Sequence, residues 1–462
     1  MSQYTDYFRT SPPLALATAN SHAREGVERH KAGALGCYIR LGDCGTRRVW
    51  RGLSSDAEGL ERVLWWMERQ RDYPLQIAVS FGKPSNDVPA WESVSQRLSQ
   101  SNVEHMFNIN IKNGDDLLPF IGLLQRSESV IIQNCPLVSL EALKGIPRIN
   151  RLVLLRCRGT FTISPLSTCP NLTSLRVLGC PNLTSVETLG SLRSLREIFL
   201  PQTPITNLDF LKYCSLLESV DLNHCSGLFS LAGLGGLEKL KAIHASYSRV
   251  ESIGDLGGCS SLELVDVNGC KVITSLSGLS GLTCLKTLKV NETAITDLQA
   301  VAGCVALETL SVRGCKKLTT LAPLSGLRNL KALDANRCGI ASIGDLGGCV
   351  ALEIVDICNC KNLTSIAALA GLQKLRKVNA GGTKITEVDS LAGCAALEYV
   401  CVRFCDGLTS LTGLSGLQNL REVYARGAPV SPGDPPRSCP ALQILSYDDD
   451  ESSSGYDSEW EE

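Results

Sequence analysis

The sequence repeats itself at a spacing that alternates between 22 and 23 residues. One apolar residue opens each unit, and the alternation holds from Val186 to Leu411. These opening residues are Leu140, Ile163, Val186, Leu208, Leu231, Ile253, Leu276, Leu298, Leu321, Ile343, Ile366, Val388 and Leu411. The unit that returns is therefore a pair of 45 residues. A chain with such a period stacks coils into a solenoid in which each coil contacts only its neighbours.

Each unit also contains the motif L-x-x-L-x-V-x-x-C/T, as in Leu285–Thr293 and Leu307–Cys315. Its alternating apolar residues predict a short strand with one buried face. A small hydroxyl or thiol residue occupies the last motif position, which we call the ladder position, in all units except the final one. Such a side chain can hydrogen-bond the backbone of its own coil or of a neighbouring coil.

This motif resembles the leucine-rich repeat family, whose pattern L-x-x-L-x-L-x-x-N/C-x-L has asparagine or cysteine at the ladder position. The resemblance covers Ser129 to about Tyr447, or about 14 coils. It implies an α/β repeat fold, a horseshoe solenoid with a parallel concave sheet. Units this short leave room only for turns or one-turn 3-10 segments on the convex side. The paired cysteine-rich coils also resemble trypanosomatid leucine-rich repeat proteins, including an expression-site-associated group proposed to regulate adenylate cyclase.

Four regions are expected: a disordered N-terminus (1–32), an α/β capping region (33–128), the solenoid (129–447) and a disordered acidic tail (448–462). Within the capping region the patterns predict strands at Cys37–Leu41 and Leu75–Val79 and helices at Ser55–Arg71, Trp91–Leu98 and Asp115–Gln125. The region is interpreted as longer, degenerate repeats, since Ile39-x-Leu41-x-x-Cys44 fits the repeat motif. A separate small α/β cap is the alternative.

The chain has a net charge of −2, but its last 15 residues hold eight acids and no base. The remainder has 45 basic against 39 acidic residues, too mild a surplus for a dedicated nucleic-acid binder. There are 21 cysteines, an odd number, in a chain long enough to fold without disulfides. No secretory signal and no apolar membrane-spanning run occur in the sequence. These features predict an intracellular, cytoplasmic protein.

A second series of cysteines recurs every 45 residues, from Cys169 to Cys439. Leucine occupies the same position in the intervening units, as at Leu192 and Leu237. A position that accepts either residue is expected to be buried and apolar. We therefore predict structural core cysteines, with neither disulfides nor a zinc site.

Nothing in the sequence indicates catalysis. The five histidines lie outside any nucleophile motif, and no phosphate-binding loop is present. The aspartates of the repeats lie mostly two coils apart, too far to share one metal ion. We expect no catalytic residue, no cofactor and no metal.

The outward residues of the predicted strands form a zoned concave face. Its first part is apolar, its middle is rich in aspartate and asparagine, and its end is aromatic and basic. The candidate partner-binding residues are Val153, Leu155, Leu178, Phe199, Asp221, Asp266, Asp334, Asp356, Tyr399, Arg403, Tyr424 and Arg426. Exposed apolar residues clustered on a concave surface indicate a binding site.

The predicted function is a non-catalytic scaffold or recognition protein that binds another protein on this face, as a monomer or weak oligomer. One alternative is a regulatory subunit of a signalling enzyme, either an adenylate cyclase or a protein phosphatase. Another is binding to RNA or ribonucleoprotein through Arg403, Tyr424 and Arg426. Serines in the acidic tail, such as Ser454 and Ser458, precede acids by three residues and fit acidophilic kinases.

Overall fold

The computed structural model describes residues 37–41, 49–53, 75–81, 93, 96, 106–113, 116–431 and 435–447. They fall into two compact units. Unit 1 takes in the chain up to Pro136 and residues Ile146–Ile149, and unit 2 takes in Leu137–Gly145 and the chain from Asn150. The predicted disordered N-terminus, the helix at 55–71 and the acidic tail lie outside the described residues. Of the helix predicted at 91–98, only Ser93 and Gln96 are described, and both are helical.

Unit 1 contains five described strands. They are β1 (Cys37–Leu41), β2 (Val49–Leu53), β3 (Leu75–Phe81), β4 (Met106–Lys112) and β5 (Ser127–Gln133). The two predicted strands, β1 and β3, are confirmed. Near the third predicted helix, a 3-10 turn (Leu118–Phe120) leads into a short helix, α1 (Ile121–Leu124). Phe120 of that turn packs edge-on against Phe81, with ring centroids 5.1 Å apart.

The strand pairing in unit 1 corrects one sequence match. Strands β3, β4 and β5 are parallel, as successive repeat coils require. Strand β1, however, pairs antiparallel with both β2 and β3, and Ile39 lies opposite Ile77. Coils of one solenoid run in the same direction, so Ile39-x-Leu41 fits the repeat motif without having the repeat geometry.

Unit 2 contains fourteen strands, each pairing in parallel with the next. They are β6 (Arg151–Leu155), β7 (Ser174–Leu178), β8 (Glu197–Phe199), β9 (Ser219–Asp221), β10 (Ala242–His244), β11 (Leu264–Asp266), β12 (Thr287–Lys289), β13 (Thr309–Ser311), β14 (Ala332–Asp334), β15 (Ile354–Asp356), β16 (Lys377–Asn379), β17 (Tyr399–Cys401), β18 (Glu422–Tyr424) and β19 (Ile444–Ser446). The register follows the alternating period: Val265 lies beside Leu288, which lies beside Leu310.

Short 3-10 helices lie on the side of each coil opposite the sheet, as predicted. They span Glu141–Leu143, Ser164–Thr168, Glu187–Ser191, Asp209–Tyr213, Ala232–Leu234, Ser277–Leu279, Gln299–Gly303, Ala322–Leu324, Ala367–Leu369, Asp389–Gly393 and Thr412–Leu414. The coils at Gly254 and Gly344 have a turn instead, in which Asp255 and Asp345 each accept the amide two residues on. Gly254 has φ +71°, and a Cβ atom there would lie 2.4 Å from Ala232 Cα, so only glycine fits.

The interior of unit 2 is aliphatic, and every opening residue of the repeat is buried. The ladder positions satisfy the backbone as predicted, and two neighbouring coils share one acceptor. Thr293 Oγ1 and Cys315 Sγ both donate to the carbonyl of Val290, at 2.8 and 3.2 Å. Thr383 and Cys405 do the same at Ala380. A carbonyl has two lone pairs, so a threonine coil followed by a cysteine coil uses both.

The second cysteine series is buried at every position from Cys169 to Cys394 and half-buried at Cys439, as expected for a core position. The structure adds a role that leucine cannot supply. Cys259 and Cys349 donate to the carbonyls of Leu234 and Leu324, at 3.2 and 3.1 Å. Each of those leucines ends a 3-10 helix of the preceding coil, where a carbonyl lacks a partner within the helix. The cysteines from Cys135 to Cys439 are all free thiols.

Candidate protein-binding face

The outward side chains of β6–β19, with the residues directly after each strand, form a continuous surface that we call the sheet face. In each coil, side chains point outward at the first, second, fourth and sixth residues after the leucine that opens the strand motif. Parallel pairing brings equivalent residues of adjacent coils side by side, about 4.8 Å apart. Each outward position therefore forms a row along the sheet, and the rows decide what the face offers a ligand.

One row is formed by the residue directly after the leucine that begins each strand motif, as Lys286 follows Leu285. This row alternates in charge along most of unit 2. We call it the charged row: Arg196, Glu218, Lys241, Glu263, Lys286, Glu308, Lys331, Glu353, Arg376, Glu398 and Arg421. Glu218 pairs with both Arg196 and Lys241, at 2.6 and 2.8 Å. The pairs Lys331–Glu308 and Arg376–Glu398 continue the pattern. Sequence reasoning did not identify this row, although its alternation has the 45-residue period of the repeat.

The aspartates of the middle zone bind their own backbone. Asp221, Asp266, Asp334 and Asp356 each accept the amide hydrogen of the residue two positions on, at 2.8–3.1 Å. In three coils without this aspartate, an asparagine of the preceding coil accepts the equivalent amide, as Asn223 does for Ser246. Asp221 and Asp356 are only 3% and 4% exposed, which corrects the expectation of an open acidic zone. Asp266 and Asp334 make the same backbone bond and are partly exposed, so this bond alone does not bury a carboxylate. Binding by these aspartates stays a prediction.

Asp334 and Asp356 lie opposite each other on adjacent strands. Burial raises the pKa of Asp356 to about 6, and the neighbouring Asp334 carboxylate adds to this, while the Cys358 amide opposes it. Burial also raises the pKa of Asp334. No other adjacent coils place two aspartates in this row among residues 150–431. The pair concentrates negative charge at one point of the face.

The apolar end of the face is smaller than predicted. Val153 is only 5% exposed, whereas Leu155, Leu178 and Phe199 are partly exposed. The guanidinium of Arg176 lies 4.3 Å from the centre of the Phe199 ring and is held by Glu197 at 3.1 Å. The result is an apolar surface with a fixed cation over its one aromatic ring.

The other end of the face brings together the predicted aromatic and basic residues. Arg403 lies 4.7 Å from the centre of the Tyr424 ring, and the Tyr399 ring lies 5.5 Å from it. Arg426 stacks on Phe404 at 5.6 Å. We call these five residues the C-terminal cluster. Tyr424 is only 6% exposed, which corrects its expected exposure, because Arg403 and Tyr399 cover it. Phe404 is 54% exposed and Arg426 is exposed, so the outer stack faces solvent.

A second aromatic stack was missed from the sequence. His224 and Tyr247 lie parallel on adjacent coils, with ring centroids 5.2 Å apart, and Tyr247 is 57% exposed. Both residues, like Phe404, directly precede a ladder position and have positive φ, near 57°. Five other coils place glycine there, which avoids that strain. Scanning this position for bulky residues would have revealed the exposed rings from the sequence alone.

The described residues contain no group of three or more metal-binding side chains. Within the same part of the chain, no helix is long and apolar enough to span a membrane.

No protein-family model and no curated protein matches the sequence. Solved structures do match. The chain aligns with an internalin (inlF) of Listeria monocytogenes at a TM-score of 0.56 and 21% identity, covering 73% of this chain and 93% of that one. The functional domain of InlJ from the same bacterium, described as including a cysteine ladder, aligns at 0.51 and 18% identity over 74% and 72%.

The structure of the Toll–Spätzle complex of Drosophila aligns at a TM-score of 0.55 and 12% identity, covering 75% of this chain and 57% of that one. At such identities the likeness establishes the fold and nothing finer. The resemblance to trypanosomatid proteins stays a prediction. Parallel strands at alternating 22- and 23-residue spacing, a ladder of cysteine and threonine, and these neighbours lead to one conclusion. The chain has the leucine-rich repeat solenoid fold.

Proposed function

We propose that the sheet face of unit 2 binds another protein, and that the chain acts as a non-catalytic scaffold or recognition protein. The observation that carries the proposal is the C-terminal cluster, where two arginine–aromatic stacks lie on adjacent coils. The repeat does not require these residues, since the same rows hold aspartate, asparagine or glycine in other coils. Arginine and tyrosine are also the side chains that contribute most to binding energy at protein interfaces.

The architecture supports this role. A parallel sheet with the backbone paired from coil to coil is formed before any ligand arrives, so little conformational entropy is lost on binding. One solved structure of similar fold is described as that of the Toll–Spätzle complex. At the other end of the sheet, Leu155, Leu178 and Phe199 offer a second, apolar contact.

Two alternatives remain as proposals. A regulatory subunit of an adenylate cyclase or phosphatase would use the same face, with the enzyme as partner. RNA binding is favoured by one specific observation: a guanidinium stacked on an exposed ring, as at Arg426 and Phe404, can also stack with a base. A cytoplasmic location and a monomeric or weakly oligomeric state are expected alongside any of the three.

The test is affinity capture from native extract with the full-length chain and with two variants. Reversing charge at the cluster (Arg403→Glu with Arg426→Glu) should reduce capture of a specific protein at least tenfold, because both stacks are lost. Arg313→Glu, in the same row but just after β13, is the matched control and should leave capture within twofold. Partners that persist after RNase treatment favour a protein, and loss on RNase favours RNA. Equal capture by all three chains would remove the cluster as the site.

A further inference from the structure

The C-terminal cluster lies beside the last strand of the solenoid. Strand β18 carries Tyr424 and pairs with β19, where Tyr424 lies opposite Ser446. Strand β17, which leads to Arg403 and Phe404, is the next one along. The sheet face holds two arginines and one glutamate on these two strands and directly after them. The glutamate is Glu422, which accepts a hydrogen bond from the Tyr424 hydroxyl at 3.1 Å. The cluster is therefore an aromatic surface with a surplus of positive charge.

The segment that follows β19 has the complementary chemistry. Residues 448–462 hold eight acids and no base, together with Tyr456 and Trp460. Carboxylates pair with guanidinium groups through two hydrogen bonds, and aromatic rings stack on guanidinium planes and on other rings. Acidic and aromatic residues in one short segment match a surface in which arginine and aromatic residues alternate.

The distances also fit. Fifteen extended residues reach about 50 Å, whereas β18 and β17 lie about 5 and 10 Å from β19. A segment tethered this close to its site has an effective concentration in the millimolar range, so pairing with a dissociation constant below about 1 mM is enough to fill most of the sites.

We propose that residues 448–462 dock on the C-terminal cluster of their own chain, and that a partner must displace them. The docking itself requires no partner, so only the displacement by a partner rests on the proposed function. The segment acts as an intramolecular competitor that raises the affinity a partner needs. An acidic segment of a partner, or residues 448–462 of a second copy, would use the same chemistry. The test distinguishes docking within one chain from docking of a second copy.

The experiment places a photo-reactive residue in the tail of the full-length chain, Trp460→p-benzoylphenylalanine, and maps the cross-links by mass spectrometry. We expect cross-links to residues 399–427 within one chain, with a yield that falls in high salt. Adding Arg403→Glu and Arg426→Glu should lower the yield at least tenfold, and the control Arg313→Glu should change it less than twofold. Circular dichroism checks that the charge-reversed variant folds. If it does not, the neutral double variant Arg403→Gln with Arg426→Gln replaces it, and this variant should lower the cross-link yield severalfold.

Three results would overturn the docking: cross-links mapped elsewhere or absent, a yield unchanged by the cluster variants, or cross-links that join two chains. The regulatory clause has its own readout. Replacing all eight acids by Asn and Gln in the full-length chain should increase partner capture severalfold, and unchanged capture would refute competition. Partner capture that still depends on Arg403 and Arg426 would leave the binding role of the cluster intact in either case.

Discussion

At the scale of single residues, the aspartates show why sequence position alone does not define a surface. Their row was predicted to face outward, yet Asp221 and Asp356 are buried, whereas Asp266 and Asp334 accept the same kind of backbone amide and stay partly exposed. Strand alternation predicts which side of a sheet a residue occupies. It does not predict whether a short polar side chain extends into solvent or turns back to the backbone, because that depends on the neighbouring coils.

The buried Asp356, which lies opposite the partly exposed Asp334, makes stability depend on pH. The pKa of Asp356 is about 6 when folded against an ordinary value of 3.8, so the folded state holds the proton more tightly than the unfolded chain. The resulting stabilisation is full below about pH 4 and is lost as the pH rises through 6. Asp356→Asn should remove this loss and stabilise the protein by about 1–3 kcal/mol at pH 7.

Urea unfolding between pH 4 and 8 measures this effect. The exposed Asp255, which also accepts an amide two residues on, is the control, and Asp255→Asn should leave the pH profile unchanged. A lower unfolding midpoint for Asp356→Asn at pH 7 would contradict the account, as would a wild-type midpoint that stays constant across this range.

At the scale of the coil, three rows alternate in phase. From Cys214 to Cys394, the coils that begin with a cysteine of the second series carry glutamate in the charged row and cysteine at the ladder position, as at Cys304, Glu308 and Cys315. The intervening coils carry leucine at the position of the second cysteine series and lysine or arginine in the charged row. Their ladder position most often holds threonine or serine. Each alternation matches a contact between neighbouring coils. The second-series thiol donates to the carbonyl at the end of a 3-10 helix, the charged row forms ion pairs, and neighbouring ladder positions share one carbonyl acceptor. The two coil types are complementary, which explains why the pair repeats.

The charged row gives a prediction at this scale. Glu218 lies between Arg196 and Lys241, so Glu218→Lys would place three cations in line. Each exposed ion pair contributes only a few tenths of a kcal/mol to about 1 kcal/mol, and the repulsion adds a similar amount. We expect a loss of about 1 kcal/mol in unfolding free energy that shrinks in 0.5 M salt, because salt screens exposed charges.

The neutral variant Glu218→Gln isolates the repulsion, since it removes the pairs without adding charge. It should cost less than Glu218→Lys at low salt and about the same at high salt. Identical unfolding curves for the two variants at low salt would show that the row has no energetic role.

The turn at Gly254 gives a second prediction. A side chain there meets Ala232 Cα at 2.4 Å in addition to the strain of positive φ, whereas Gly281 has φ +81° and open space around a Cβ atom. Gly281→Ala should therefore cost about 1 kcal/mol, from the left-handed backbone alone. Gly254→Ala should cost clearly more, because the neighbouring coil must shift. Chemical denaturation compares the two, and equal costs would mean that the coils are not packed this closely.

At the scale of the whole molecule, the sequence predicted unit 2 well and unit 1 less well. Periodicity averages over many coils, so the strand register and the 3-10 segments followed from it with little ambiguity. Unit 1 has no period, and the antiparallel pairing of β1 with β2 and β3 left no signal in single strands. The partners of a strand are set by contacts distant in sequence, which local patterns do not record.

The candidate site, too, was predicted only in part from the sequence. The outward rows and the basic, aromatic end followed from the period. The stacks Arg403–Tyr424, Arg426–Phe404 and His224–Tyr247 did not, because they depend on side chains that lean across coils. Two of the three rings that precede a ladder position, Tyr247 and Phe404, point over a glycine of the next coil. The absence of a side chain in one coil makes room for the ring of another.

The central claim, that a protein partner binds on the sheet face at the C-terminal cluster, is tested most directly by photo-cross-linking in native extract. The full-length chain would carry p-benzoylphenylalanine either at Phe404, beside the sheet, or at Val305, two residues after the 3-10 helix Gln299–Gly303 on the opposite side. Both side chains are more than half exposed. The account predicts that position 404 captures a discrete partner and position 305 does not. Capture of the same partner from 305 alone, or equally from both, would contradict it.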